Sequence, residues 1–322
     1  MKRKFKVTTF ENLHLRIFTI GYHQEGESIL GIFCDGDKPL FSFVVDSYAY
    51  TDMDYNHVEQ LLQQENIQHI DAFIWTHPDE DHSKGICELL EHYDKEHSAQ
   101  IFIPAILNPT MSIGEEAQNA LQYINKHYNS NRIYDKLKAV GLMGFERPEC
   151  LIQLEFSERR SNTIITCNFN FFLPYNTFLQ RRLGQRDFKW NDLSIFFSLY
   201  CNGYNYIFSG DLTKQCLQFI TFEYLQNVRF IKIPHHGSSE IQQFAYMVQP
   251  GCYENTISTV TEKYNSGLPR QAVLNEYGRF CNTIFRTAAE SQETACIETK
   301  FNISSLSTIA SLTGNVIEMK SK

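Results

Sequence analysis

Short apolar runs alternate with helical patterns along the whole chain. Three β-rich runs, separated by polar or glycine-containing turns, predict an antiparallel meander at residues 15–20, 28–33 and 40–45. Further strands are predicted at 69–75, 100–103, 151–156, 163–173, 192–200, 204–209, 228–233, 256–260 and 283–286. Helical spacing marks residues 56–66, 83–93, 115–140, 212–226, 239–248 and 270–277, and Ser83 is a good N-cap for the second of these. The mixed order predicts an α/β fold.

The composition gives no sign of a domain boundary. The chain has 322 residues, of which 43% are hydrophobic, so it can bury the core of one large or two ordinary domains. No repeat, low-complexity linker or clear break divides it. We therefore predict a single domain over residues 1–322.

Charge and cysteine usage narrow the class of protein. The formal net charge of -8 gives no global attraction to nucleic acid, so any such contact would need a local basic patch or a metal that engages phosphate. The nine cysteines include no C-x-x-C pair, which argues against a disulfide framework and a thiolate zinc site. We therefore expect reduced cysteines and a cytoplasmic protein. We also expect no membrane partner, because no window approaches about 18 uninterrupted apolar residues.

One loop carries most of the candidate chemistry. Residues 76–82 read T-H-P-D-E-D-H and directly follow the apolar run 70–75. The loop offers four potential metal ligands within six residues: His77, Asp79, Asp81 and His82. Imidazole and carboxylate ligands together suit divalent first-row metals. The sequence therefore predicts a metal site where this strand ends.

Three further strands end in turns that contain His or Asp. Asp46 closes the run 43–45, Asp211 follows the run 206–208 through Ser209 and Gly210, and His235-His236 closes the run 230–233. Strand ends in one sheet lie side by side, so these turns can converge on the same rim. Four such turns are a much stronger signal than one.

With these motifs, the sequence resembles the metallo-β-lactamase-fold hydrolase superfamily. Residues 77–82 match its H-x-[HD]-x-D-H signature, Gly210-Asp211 its later Gly-Asp motif, and residues 234–238 its late histidine motif. The subgroup it resembles most is the hydrolase domain of the DNA-uptake channel protein ComEC and its stand-alone relatives. That resemblance rests on Asp79, on residues 191–194, on the Pro-His-His-Gly-Ser string, and on residues 26–30 as a diverged G-D-[SA]-x-L.

The resemblance covers roughly residues 15–290 and implies a fold and a set of site residues. The implied fold is an αββα sandwich, two mixed β-sheets flanked by helices, with a helical insert at about 109–144. The implied metal ligands are His77, Asp79, Asp81, His82, Asp211 and His235. Asp81 and His236 are assigned catalytic roles, although the sequence does not choose between His235 and His236 as the ligand. Asp46, Asn191 and Ser194 are expected to support the ligands from behind.

Two departures from the family pattern affect the expected metal. Leu268 stands where the subgroup often has a histidine, and no histidine occurs between His127 and His235. The first metal position would then have His77, Asp79 and the shared Asp211, an oxygen-rich set that is less selective for zinc. We expect one or two divalent ions, zinc or manganese, with magnesium as a further candidate.

The expected activity is metal-assisted hydrolysis, and the subgroup resemblance implies a phosphodiesterase that acts as a nuclease on DNA. The basic residues Arg181, Arg182, Arg186 and Lys189 lie among the aromatics Phe178, Phe188 and Trp190. Basic side chains interleaved with aromatic ones can grip a single strand by charge and stacking. A solvated loop is the competing interpretation of this segment.

Two other functions remain open at this point. An acyl hydrolase, of lactonase or thioesterase type, would use the same metal and want an apolar pocket, which residues 109–144 could line unless they only pack as helix. A diverged subunit of a bacterial defence complex would bind a protein partner, as the resemblance to stand-alone relatives suggests. His23, in the loop before Gly26, could border the site.

Overall fold

We describe the protein from a computed structural model. The described residues are 3–5, 8–22, 25–49, 56–108, 111–128, 136–141, 148–183, 185–251, 255–263, 266–287, 294–305 and 307–320. His23 and parts of the expected insert, residues 109–110, 129–135 and 142–144, lie outside them.

Strands dominate the described residues. They are β1 (Arg3–Lys4), β2 (Thr8–Phe10), β3 (Leu13–Tyr22), β4 (Gly26–Asp35), β5 (Lys38–Val45), β6 (Ala72–Ile74), β7 (Gln100–Pro104), β8 (Leu137–Val140), β9 (Glu149–Glu158), β10 (Ile164–Leu173), β11 (Phe196–Cys201), β12 (Tyr204–Phe208), β13 (Val228–Lys232), β14 (Ile257–Val260), β15 (Thr283–Thr287), β16 (Thr294–Asn302), β17 (Thr308–Thr313) and β18 (Val316–Lys320).

Helices occupy the connections between the strands. The α-helices are α1 (His57–Gln64), α2 (Ile86–Tyr93), α3 (Glu115–Tyr128), α4 (Asn176–Arg182) and α5 (Gln271–Tyr277). Short 3₁₀ helices are found at Glu80–His82, Trp190–Leu193, Lys214–Phe219, Phe222–Leu225, Pro234–Gly237 and Ser239–Met247.

The strands form two mixed sheets. The first sheet has the order β17-β16-β3-β4-β5-β6-β7-β8, and the second has the order β1-β9-β10-β11-β12-β13-β14-β15-β18, with β2 beside β9. In each sheet an antiparallel part is continued by parallel strands, β5 to β8 in the first and β12 to β15 in the second. Because parallel strands point the same way, their carboxyl ends lie along one edge.

The core has an aromatic layer between the sheets. Side chains alternate along a strand, so Leu15 and Ile17 of β3 belong to this layer while Phe18 belongs to the opposite face. Within the second sheet Phe197 stacks on Phe208 at 4.8 Å between ring centroids, and across the layer Phe43 of the first sheet meets Phe169 of the second edge to face at 5.1 Å. Such close packing fixes the two sheets relative to each other.

Helices cover the outer faces of the sheets. Helix α1 buries Val58, Leu61 and Leu62, and α3 buries Leu121 and Ile124, all in the cluster that also contains outward-facing strand residues. On the second sheet α5 packs beside the 3₁₀ helix Ser239–Met247. The predicted αββα sandwich is therefore confirmed.

Several predicted elements differ from the structure near the first sheet. Ser83 does not cap α2, because its hydroxyl donates to the Asp79 carbonyl at 2.6 Å and accepts from Trp75 Nε1 at 3.1 Å. The helix starts later, after Gly85, which has φ +85°. The helix predicted over 115–140 ends at Tyr128, and residues 137–140 pair with β7 as an edge strand instead.

The second half also departs from the expectations. The helix predicted over 212–226 consists of two 3₁₀ segments, interrupted where the β-branched Ile220 and Thr221 adopt extended backbone. The expectation of reduced cysteines is wrong for Cys167 and Cys201, which face each other on β10 and β11 and form a disulfide. Strand β16 lies beyond the expected core yet pairs with β3 along its whole length.

Among the described residues, no helix is both long enough and apolar enough to cross a membrane.

Removing the Phe169 ring should be costly, whereas trimming a neighbour on the same strand should not. Phe169 is fully buried and packs against three other phenylalanines, so Phe169→Ala should lower the free energy of unfolding by about 3–5 kcal/mol. Ile164 is 58% exposed, and Ile164→Ala should change it by less than about 0.5 kcal/mol. Denaturant unfolding of both variants measures the difference, and equal costs would contradict the packing described.

Candidate metal centre

The candidate site lies where the parallel strands of both sheets end. Asp46 follows β5, and the loop with Asp81 and His82 follows β6 in the first sheet. Asp211 follows β12, and His236 follows β13 in the second sheet. The sequence pattern had placed each of these residues after a strand, and the sandwich brings the strand ends of the two sheets together.

Four buried side chains form a closed group of potential ligands. They are Asp81, His82, Asp211 and His236, and one ligand atom from each lies within 4.8 Å of all the others. His82 Nε2 lies 3.7 Å from Asp81 Oδ2 and 3.6 Å from Asp211 Oδ1. His236 Nε2 lies 3.4 Å from Asp81 Oδ2 and 3.5 Å from Asp211 Oδ2. Ligands about 2.1 Å from a tetrahedral ion lie about 3.4 Å apart, so the spacing suits a divalent metal.

Several buried polar atoms at this site make no hydrogen bond to the described residues. The Nε2 atoms of His77, His82 and His236 and Oδ1 of Asp211 are buried and accept or donate no hydrogen bond. Burying such polar atoms without a partner is costly, and native proteins rarely leave them so. A bound cation would satisfy them, so the donor set fits a divalent metal ion such as zinc or manganese.

Asp46 orients two of these histidines. It is buried, accepts from His82 Nδ1 at 2.8 Å, and also accepts from the backbone N–H and the hydroxyl of Thr76 at 2.6 Å each. Since Thr76 gives its hydroxyl proton to Asp46, its oxygen accepts from His77 Nδ1 at 2.9 Å. Both rings therefore carry the proton on Nδ1 and present the Nε2 lone pair, as metal-binding histidines do.

The backbone at the site is held in unusual conformations. Asp46, His235 and His236 have φ values of 57°, 49° and 49°, in the left-handed region that non-glycine residues seldom adopt. Gly210, with φ +51°, leaves room for the neighbouring loop, because a Cβ there would lie 3.2 Å from Cβ of Thr76. Clustered outliers of this kind are typical of functional sites.

The electrostatic field in the pocket favours a cation. Burial alone would lower the pKa of His82, but Asp81, Asp211 and Asp46 outweigh it and raise that pKa well above the usual value. Burial would raise the pKa of Asp81, but His82, His236 and Lys263 hold it well below its usual range. The carboxylates thus remain ionised, as ligands of a divalent ion must be.

The positions of the two adjacent histidines differ from those expected from the sequence. His236, expected to be catalytic, lies in the four-residue group, whereas His235, expected to be a ligand, does not. His235 is partly exposed and its Nδ1 has no hydrogen-bond partner among the described residues. The geometry therefore favours exchanging their roles, with His236 as ligand and His235 at the mouth.

The other expected ligands form a looser second position. His77 is buried, and its Nε2 lies 3.5 Å from Oδ2 of the partly exposed Asp79. The His77 ring lies 4.2 Å from the His82 ring, next to the four-residue group. A second ion at His77, Asp79 and Asp211 stays a prediction.

Residues 191–194 contact the segment that carries Asp211, through partners that the sequence did not reveal. Ser194 Oγ accepts from the Asp211 backbone N–H at 3.2 Å. Asp192 accepts from Thr213 Oγ1 at 2.6 Å and from Arg182 Nε at 2.9 Å. For Asn191, the contact shown is from its carbonyl, which accepts from the Ser194 N–H.

This arrangement changes the interpretation of the basic segment. Arg182 is buried and pairs with Asp187 and Asp192, so it braces the loop behind Asp211. It therefore does not belong to the predicted substrate-binding patch. Arg181 and Arg186 are exposed, and their role in substrate binding stays a prediction. The nearby aromatic rings pack against the core or each other instead of standing free for stacking: Phe178, Phe188 and Trp190.

Five residues at the site were not predicted from the sequence to have a role there: Glu27, Thr76, Lys232, Thr261 and Lys263. Glu27, Thr76 and Lys232 belong to segments that carry motifs, so their positions gave a signal. Lys263 contacts Asp81, and its side chain is 32% exposed. It therefore lies at the mouth of the site, where its ammonium group is in contact with the four-residue group. Nothing in the sequence pattern distinguished Thr261 or Lys263.

The comparisons with known proteins add no residue roles. The metallo-beta-lactamase fold protein YhfI from Bacillus subtilis is similar in structure, with a TM-score of 0.40 and 12% identity over 87% of this chain and 98% of that protein. No protein-family profile matches the sequence, and a comparison with curated proteins finds no match. The roles of the site residues therefore follow from the geometry of the site.

Replacing Asp211 should abolish tight metal binding. Asp211→Asn keeps the shape of the side chain but removes a charge that both histidine ligands face, so the dissociation constant for zinc or manganese should rise at least about 100-fold, or about 2.7 kcal/mol. His92→Ala, an exposed histidine paired with Glu59, should leave the constant unchanged. Isothermal titration calorimetry on chelator-treated protein decides, and equal affinity in Asp211→Asn would remove Asp211 from the ligand set.

Proposed function

We propose that this chain is a metal-dependent hydrolase that holds a divalent ion with Asp81, His82, Asp211 and His236. The observation that supports the proposal is the buried group of four potential ligands, in which His82 Nε2, His236 Nε2 and Asp211 Oδ1 make no hydrogen bond to the described residues. Zinc and manganese suit two imidazoles and two carboxylates best, and magnesium remains a candidate.

An ion in such a site lowers the pKa of water and polarises the oxygen of an ester or phosphoryl group. The chain's own residues contribute orientation and proton transfer. Asp46 keeps the Nε2 lone pair of His82 directed into the four-residue group, which would hold the ion. His235, partly exposed beside Asp211, can orient the water or donate a proton to the leaving group, the two roles that the sequence left to whichever histidine is not a ligand.

Among substrates, we favour a phosphodiester. Lys263 places an ammonium group against Asp81 at the mouth of the site, where an approaching anion would meet it. A cation at that point stabilises negative charge on the substrate and in the transition state, which serves a phosphodiester better than a neutral ester. DNA as the physiological phosphodiester, and the ComEC-type relationship, remain predictions from the resemblance.

The acyl-hydrolase alternative gains no support from the described part of the insert. Leu121 and Ile124 of α3 are buried in the core, and Ile113 packs against it, so these side chains do not line an open apolar pocket. A protein partner in a defence complex likewise stays a prediction, which recovery of the protein alone from its native cells would contradict.

Metal-dependent phosphodiester cleavage is the direct test. Purified protein, treated with chelator and then given Mn²⁺, Zn²⁺ or Mg²⁺, should hydrolyse bis-p-nitrophenyl phosphate and labelled single-stranded DNA. Asp81→Ala/His82→Ala should lose the activity because two of the four ligands are gone, and His92→Ala should keep it. Cleavage of p-nitrophenyl acetate alone would support the acyl hydrolase, and no hydrolysis despite bound metal would contradict the proposal.

Lys263 should matter for anionic substrates specifically. Lys263→Met should lower kcat/KM for bis-p-nitrophenyl phosphate about 10-fold or more, because a hydrogen bond to a charged group contributes about 1.5–3 kcal/mol. Lys263→Arg, which keeps the charge, should recover most of the loss. Activity on neutral p-nitrophenyl acetate, where detectable, should change less than about 2-fold. Equal losses on both substrates would assign Lys263 to holding Asp81 instead.

A further inference from the structure

A second buried carboxylate, Glu27, lies behind the metal centre close to Asp46: one oxygen of each lies within 4.8 Å of the other and of His82. Glu27 is 3% exposed, and its Oε2 lies 3.5 Å from His236 Nδ1 while its Oε1 lies 3.9 Å from His82 Nδ1. It accepts a short hydrogen bond from the Thr261 hydroxyl. Thr261 Oγ1 in turn lies 2.9 Å from His236 Nδ1.

The directions of these hydrogen bonds can be worked out from the groups present. A carboxylate only accepts, so Thr261 gives its single hydroxyl proton to Glu27. The Thr261 oxygen must then accept from His236, which places the proton of that ring on Nδ1. The Thr261 backbone carbonyl, 3.2 Å from the same nitrogen, is also an acceptor and requires the same tautomer. His236 Nε2 is thereby left as a lone pair facing Asp81 and Asp211.

Glu27 is itself held in place by a buried cation. Lys232 Nζ lies 2.5 Å from Glu27 Oε1 and 3.6 Å from Asp211 Oδ1. Both members of this pair are almost fully buried, and an unpaired carboxylate there would be strongly disfavoured. The pair therefore keeps Glu27 ionised and fixed, which is the condition for it to take the Thr261 proton.

We propose that Glu27, acting through Thr261, is the positioning residue that fixes the tautomer and orientation of His236 for metal binding. The arrangement parallels Asp46, Thr76 and His77, where a buried carboxylate also acts through a threonine hydroxyl. Glu27 comes from β4 of the first sheet and Thr261 follows β14 of the second, so the relay also ties the two sheets together at the site. The inference rests on the metal centre proposed above.

Substitutions of Thr261 test this with little disturbance of the buried charges. Thr261→Val removes the hydroxyl at nearly constant volume, whereas Thr261→Ser keeps it. The dissociation constant for Zn²⁺ or Mn²⁺, measured by calorimetry, should rise about 10-fold in Thr261→Val and stay within about 2-fold in Thr261→Ser. Denaturant unfolding of both variants without metal separates this effect from a loss of stability. Equal metal affinity in the two variants would overturn the proposal.

The tautomer gives a readout that does not depend on metal binding or on activity. In protein labelled with ¹⁵N-histidine and freed of metal at about pH 8, the His236 signals, assigned with His236→Gln, should report a proton on Nδ1. Thr261→Val should shift the signals toward a mixture of tautomers, and Thr261→Ser should not. A proton on Nε2 in the unaltered protein would overturn the inference. If that protein bound no ion, the proposed function would fail, and the tautomer would still decide on Glu27.

Glu27→Asp and Glu27→Gln extend the test to the carboxylate itself. Glu27→Gln can no longer serve as a charged acceptor, and it leaves Lys232 without its partner, so metal affinity should fall at least as far as in Thr261→Val. Glu27→Asp keeps the charge and should recover part of the affinity. A larger loss in Glu27→Asp than in Glu27→Gln would show that side-chain length, not charge, governs the site.

Discussion

The structure depends on the burial of several carboxylates at the junction of two sheets. Glu27, Asp46, Asp81 and Asp211 are all less than 9% exposed, and each lies within reach of at least one other member of the site. Like charges brought together in a poorly solvated place repel strongly unless cations and hydrogen bonds compensate. The arrangement of lysines, threonines and histidines around them is best understood as that compensation, and it constrains the loops that carry the site.

The rigidity needed for this compensation comes from the packing between the sheets. Half of the four-residue group comes from each sheet, so a small slide of one sheet over the other would separate Asp81 and His82 from Asp211 and His236. The phenylalanine layer opposes such a slide because Phe43 of the first sheet packs against Phe169 and Phe208 of the second. Direct links at the rim add to it, such as the Ile195 N–H donating to the Thr76 carbonyl at 2.9 Å. The left-handed residues at the strand ends then turn the ligands inward.

The resemblance to a known family implied the sandwich, whereas the sequence pattern itself pointed to the four clustered ligands, because each of them follows an apolar run and strand ends share an edge. It could not separate His235 from His236, since adjacent residues in a turn with φ near 49° are distinguished by backbone conformation and not by pattern. It also missed the Glu27–Thr261 contact, whose members are 234 positions apart. Arg182 was predicted to bind substrate, but it pairs with Asp192. In the segment 191–194, only Asn191 and Ser194 had been given a role from the sequence. The strands β17 and β18 were not predicted from the sequence, because they are largely exposed and lack the alternation of buried and exposed positions that marks a strand.

The balance of charge links the site to the fold. The four buried carboxylates face the ammonium groups of Lys232 and Lys263, so two negative charges remain uncompensated when the histidines are neutral. One divalent ion would supply that charge at the place where the Nε2 atoms of His82 and His236 and Asp211 Oδ1 make no hydrogen bond to the described residues. Without an ion, the same field raises the pKa of His82 and draws a proton there. Metal affinity and the stability of the sheet junction are therefore two consequences of one buried charge pattern.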